Sequence, residues 1–225
     1  RGLARWGGRV CIGVVNVRND VAQGLADHVS RMAMDLGLTA GDPGCTPNLV
    51  VIFTDDAKGV ASALVQNNRR VFHLGVEGLD RGNVALREFQ TSDDPVRRWH
   101  VSMPIVGATG ERAIRMPGDQ QPIYVPGEGR VNAGRPIADA ITKAIVIIDI
   151  NKVEATPLPQ LADYIGLVSL SQVDPEGDTR AFETILNLFD NPDASPGLSS
   201  WDRSYLASLY QAYPERINPW DQAGA

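Results

Sequence analysis

Imidazoles, thiols and clustered carboxylates are the groups that could do chemistry here, and the sequence spreads them thinly. The chain holds three histidines, His28, His73 and His100, and no two of them lie within a helical turn of one another. Metal binding and proton transfer need such groups converged on one point. Each histidine therefore reads as a packing or surface residue: His28 beside the apolar face of a helix, His73 ending "RVFHL", His100 alternating within a strand. Carboxylates gather in "DPEGDTRAFE" (174 to 183) and "DNPDASPG" (190 to 197). Hard cations take such oxygens, but the Asp-x-Asp-x-Asp-Gly order of an EF-hand is absent, so a weak Ca²⁺ site over Asp174 to Glu183 stands against turn-forming and capping roles. No Gly-x-Ser-x-Gly elbow occurs. "GATGER" lacks the Lys and Ser/Thr of a phosphate loop, and "GEGRVNAG" does not sit directly between a strand and a helix as a dinucleotide fingerprint must. Asp163 and Asp174 are the acids a hydrolase would have to use.

The two cysteines carry more. Cys11 opens "RVCIGVVNV" and Cys45 lies just before "PNLVVIFTDD". If these runs are neighbouring parallel strands, both cysteines sit at the same end of the sheet and can bridge, which implies an oxidising compartment. The alternative is a pair of buried free thiols.

Around these residues the composition is that of a globular protein, with 225 residues, 43% of them apolar and 21% charged. A net charge of -6 argues against a nucleic-acid partner. No apolar run approaches the ~20 residues that span a bilayer, so no transmembrane segment is expected. The opening "RGLARWGG" has no signal-like apolar region, as a mature secreted, periplasmic or cell-surface chain would not.

The elements that must position these groups alternate from the start. Val21, Leu25, Val29, Met32 and Leu36 recur at helical spacing, predicting a long helix over 20 to 38 capped by Asn19 or Asp20. Leu49 to Phe53 reads as a strand buried on both faces. "TDD" at 54 to 56 then caps a helix running to about Val65. "VRRWHVSMPIV" (96 to 106), the turn "GATG" and "ERAIRM" predict a hairpin. After a Gly- and Pro-dense loop over 117 to 136 come the strand "KAIVIIDI" (143 to 150), a buried helix over 159 to 172, the apolar run "TILNLF" and a last helix over 199 to 211 capped by Ser199 or Ser200. Trp201, Tyr205, Leu206, Leu209 and Tyr210 form one face of that last helix. The expected fold is α/β (α+β), with residues 1–211 as a single domain and 212–225 as a tail.

This succession, with "AIVIIDI" running straight into "LPQLADYIGLVSL" and closing on "LNLF…GLSSWDRSYLASLYQ", resembles the zincin-like metallopeptidase fold and an uncharacterised family of secreted bacterial proteins related to it. The resemblance covers most of the chain and implies a mixed twisted sheet with the helix over 159 to 172 in the place of the metal-binding helix. A zincin holds zinc there with His-Glu-x-x-His. In this sequence Gln160 and Tyr164 stand at the two histidine positions and Leu161 at the glutamate; one residue back, Pro159 and Asp163 take the histidine places and Gln160 the acid's. Neither register supplies a ligand set, so no cofactor, metal or catalytic residue is expected. The implied protein is a non-catalytic secreted domain, structural or protein-binding, with a hydrolase or a small-ligand or glycan binder as the alternatives. A protein partner or a homo-oligomer is expected to engage Ile123, Tyr124 and Val125 in the loop and Tyr213 and Trp220 in the tail, whose aromatic and apolar side chains suit an interface centre.

Overall fold

The computed structural model describes residues 3–72, 82–106, 124–125, 129–130, 137–174 and 177–211. His73, Ile123, Tyr213, Trp220 and the expected strand "ERAIRM" lie outside them. The elements in chain order are β1 (Arg5–Trp6), β2 (Ile12–Val15), α1 (Asn19–Asp35), β3 (Leu49–Thr54), α2 (Ala57–Asn67), α3 (Arg69–Phe72), α4 (Gly82–Thr91), β4 (Val96–Val106), β5 (Tyr124–Val125), β6 (Gly129–Arg130), β7 (Ile137–Asp149), α5 (Ile150–Val153), α6 (Leu158–Leu170) and α7 (Ser200–Gln211).

One mixed sheet organises the fold. β2 pairs with β3 and β3 with β7, all parallel, while the short β1 pairs with β7 at Ala140 and Ile141. β4 runs antiparallel along the other side of β7, with a register shift between Val101 and Ser102. Among the described residues the partner of 96–106 is β7, reached across the sequence. β7 also begins at Ile137, earlier than the expected 143.

Alternation along β7 shows why its stretch from Ala144 to Ile148 is continuously apolar. Ala144, Val146 and Ile148 belong to the core shared with α1 and α6, whereas Ile147 and the half-buried Ile145 meet the core under α2 and α4. Both faces are covered by helices, which demands a continuous apolar run. The second core holds a ring cluster in which Trp99 lies 5.4 Å from Phe72 and 5.8 Å from Phe89. α4 supplies Phe89, and its sequence gives little warning, since only Leu86 and Phe89 of its residues are buried.

Helix ends follow local chemistry. α1 has no side-chain cap: Arg18 precedes the first turn, so neither Asn19 nor Asp20 plays the expected capping part. It stops at Asp35, short of the expected Leu38, because Gly37 takes φ 81° and the chain closes in a Schellman arrangement, Leu38 N–H to Ala33 O at 3.0 Å and Gly37 N–H to Met34 O at 2.9 Å. Asp56 caps α2 by accepting from Gly59 N at 2.9 Å. α7 opens on a reciprocal capping box, with Asp202 N donating to Ser199 Oγ at 3.0 Å and Ser199 N to Asp202 Oδ2 at 2.9 Å. Ser199 is therefore the cap.

At one end of the β2–β3 pair, Cys11 and Cys45 form a disulfide with Cα atoms 6.2 Å apart. Register explains it: Ile12 lies opposite Leu49, and the Cys11 carbonyl accepts from Leu49 N at 3.0 Å. Gly41 is required here, because a Cβ on it would stand 2.3 Å from Cys45 Sγ. Among the described residues no helix is long and apolar enough to cross a membrane.

Candidate functional site

α6 follows β7 after the single turn of α5 and holds Gln160, Leu161 and Tyr164, the positions compared above with a metal motif. Pro157 precedes its first turn and Pro159 sits within it, where a missing N–H leaves no helical bond unmade. From Leu161 onward nearly every residue is buried, with Ile165, Leu167 and Leu170 fully enclosed. Gly166 lets α1 approach, since a Cβ there would stand 2.3 Å from Met32 Sδ.

Of the three positions corresponding to a metal motif, Leu161 points into the main core at 4% exposure. Tyr164 is equally enclosed and meets Phe189 edge-on, with centroids 4.9 Å apart at 68°. Gln160 donates from Nε2 to Pro192 O at 3.4 Å. The residues present give a hydrocarbon, a phenol and an amide at these places; zinc binds thiolate, imidazole or carboxylate, so they do not fit that ion. Among the described residues no group of three His, Cys, Asp or Glu side chains is placed to hold a metal; Glu176 of the Asp174 to Glu183 segment lies outside them. Within that segment Asp178 pairs with Arg180 at 3.3 Å.

One turn along, Asp163 does something the sequence does not announce. Its Oδ1 lies 2.6 Å from His28 Nε2 on α1, and its Oδ2 accepts from Leu198 N at 2.9 Å. A single carboxylate thus joins α6, α1 and the loop before α7. The two partners stand 135 residues apart, so their spacing in the sequence gives no sign of the contact. His100 sits beneath α6 with Nε2 3.3 Å from Ser169 O, an oxygen that also accepts from Trp6 Nε1 at 2.9 Å.

Asp202 gathers even more. It is fully buried and accepts from Thr184 Oγ1, Ile185 N at 2.9 Å, Ser199 N at 2.9 Å and Ser199 Oγ at 3.0 Å. It fastens the "TILNLF" run, folded as a 3₁₀ turn over Ile185–Asn187, to the start of α7. At the other end of α7, Tyr210 Oη donates to Leu170 O at 2.6 Å, and burial raises its pKa above the ordinary value.

Beside the Tyr164 end of α6 opens a cavity of about 430 Å³. Its walls are Asp94, Pro95 and Val96 at the start of β4, Tyr164, the 177–180 segment, and Leu186, Phe189 and Asp190. Its described lining mixes the carboxylates of Asp94, Asp178 and Asp190 with the rings of Tyr164 and Phe189 and the side chain of Leu186. Next to it lies a row of rings: Phe182 and Trp201 with centroids 6.3 Å apart, then Trp201 and Tyr205 stacked at 5.5 Å and 6°. Phe182 and Trp201 remain 55% and 44% exposed. The face of α7 read from the sequence is therefore divided: Leu206 and Leu209 enter the core, while Trp201 stays at the surface. Tyr205 is half-buried; burial raises its pKa and the Arg98 charge opposes that shift. Asn187 ties the row to the cavity by donating from Nδ2 to Phe182 O at 2.9 Å and Thr179 O at 3.2 Å.

A smaller cavity of about 310 Å³, lined by Arg5, Trp6 and Tyr210 among others, lies where Arg5 caps the end of α7 through the Tyr210 carbonyl at 2.9 Å. Of the expected contact residues, Tyr124 and Val125 form β5, paired with Arg130 and Gly129 of β6.

No family model matches the chain, and neither a curated protein nor a solved structure is similar to it.

Proposed function

We propose that the chain is a non-catalytic, extracytoplasmic domain of zincin-like organisation that acts as a structural or protein-binding component of an assembly. The observation that carries this reading is the packing of Leu161 and Tyr164 into the core at the places where a zincin helix would present its acid and its second imidazole. The order of elements supports the fold assignment: a helix after the first parallel strand, an antiparallel edge strand, and a strand leading into a central helix. The Cys11–Cys45 bridge supports an oxidising compartment. Metal analysis of the purified protein tests the reading, and stoichiometric zinc retained through dialysis would overturn it.

A hydrolase is favoured by one observation, the 2.6 Å contact between His28 and Asp163, because a base oriented by a carboxylate is a recurring catalytic unit. Among the described residues no hydroxyl or thiol is hydrogen-bonded to His28, and the second oxygen of Asp163 is taken by Leu198 N. The pair therefore fits a fastening between helices better than a reacting centre. Loss of a measurable hydrolytic activity in His28→Ala, with the fold intact, would reverse that preference.

A further inference from the structure

We propose that the cavity at the Tyr164 end of α6, with the ring row beside it, receives a lysine- or arginine-bearing extended segment of a partner protein. This rests on the reading of the domain as a binding component and names the chemistry of what it binds. Size comes first, because about 430 Å³ falls within the range of formed ligand pockets and holds a long side chain. Charge narrows the choice. Among the described residues of its lining, three carboxylates, Asp94, Asp178 and Asp190, stand against one cation, Arg180, which is already paired with Asp178. The Asp94 and Asp190 carboxylates are thus the negative charge left to offer, and an anionic occupant would meet repulsion.

The apolar lining fits the same guest. A lysine or arginine lays its methylene stem along hydrocarbon and ring surface while its head seeks carboxylates; here the half-buried Phe189 supplies ring surface and Asp94 and Asp190 the oxygens. Outside the cavity, Phe182, Trp201 and Tyr205 extend the contact. Exposed ring faces and edges accept a further cationic or apolar side chain, and the Asn187 clamp fixes the distance between row and cavity. An extended segment places successive same-side residues about 7 Å apart, so a cationic side chain in the cavity leaves the next same-side residue free to reach a neighbouring surface.

The test uses the full chain and a short fluorescein-labelled peptide of alternating lysine and alanine, with a glutamate–alanine peptide as control, followed by fluorescence anisotropy. The lysine peptide is expected to bind, the glutamate peptide not, and added salt to weaken the complex. Asp94→Asn with Asp190→Asn should weaken binding about 5-fold or more, since each exposed ion pair contributes up to ~1 kcal/mol. Trp201→Ala should weaken it by a smaller factor. Asp27→Asn with Asp35→Asn, on the exposed side of α1, changes net charge equally and should bind as the unaltered chain does. No binding of the lysine peptide, or equal weakening by both double variants, overturns the proposal. Mass spectrometry of the same samples separates the two layers: cleavage of a bound peptide would refute the non-catalytic reading while leaving the choice of guest intact, and an uncleaved, unbound peptide would do the reverse.

Discussion

The floor around α6 and α7 and the cavity beside them treat carboxylates in opposite ways. On the floor, Asp202 is fully buried and accepts from four donors, and Asp163 joins α1, α6 and the loop before α7. At the cavity, Asp94 and Asp190 are part of the lining, Asp94 half-buried and Asp190 exposed. Burying a charge is costly unless its hydrogen bonds are made, so a carboxylate with all its bonds made within the chain is there to hold the chain together. A carboxylate turned to a cavity does little for the fold and is available to something else. The same division runs through the aromatic residues: Tyr164 is packed edge-on to Phe189, whereas Trp201 keeps 44% of its surface exposed.

Substitutions should separate the two regions by stability. The disulfide sets the scale. Replacing Cys11 and Cys45 together by serine, which frees a loop with a sequence separation of 34, should lower unfolding free energy by about 4 kcal/mol in urea, largely through chain entropy. Asp202→Ala should cost about 3 kcal/mol, because Thr184 Oγ1, Ile185 N and Ser199 N all lose their acceptor in a buried place. Asp163→Ala should cost about 2 kcal/mol, and a double-mutant cycle with His28→Ala should show coupling between the two. Asp94→Asn with Asp190→Asn should change stability by no more than about 0.5 kcal/mol. If that pair destabilises as much as Asp163→Ala, the two regions are not different in kind.

The smallest expected effect lies at a further carboxylate. Asp93 bridges Lys152 at 2.7 Å and Lys58 at 3.1 Å, and these contacts lower its pKa from 3.8 to about 2. A carboxylate held low in the folded state adds stability above its ordinary value, and that contribution fades as pH falls from 3.8 through 2. Asp93 is exposed, so the change in stability should be slight. NMR titration should find its midpoint near 2 and moving upward in Lys152→Ala.

Much of the scaffold was legible because continuous or periodic apolar runs report local burial directly. The strands at Leu49 and Ile145, the core-facing positions of α1 and the enclosed character of α6 all follow from spacing, and the cysteines sit where parallel neighbours would place them. What the sequence did not disclose depends on distant partners. β4 pairs with β7 across the 107–136 stretch, and His28 meets Asp163 only because two helices cross on one face of the sheet. α4 buries too few residues to show a period. The site was harder still. Trp201 lies at helical spacing from Tyr205 and Leu209 and so reads as core, yet rotation of α7 turns it outward against Phe182. Asp94 and Asp190 stand in loops that look like ordinary turns until the fold brings them to one cavity.

The central claim, that α6 is a packing helix in a domain that works by contact, meets its most direct trial in a broad peptide library incubated with the full-length chain, with and without a chelator, and read by mass spectrometry. The account predicts an unchanged library in both samples. Cleavage that the chelator abolishes would contradict it.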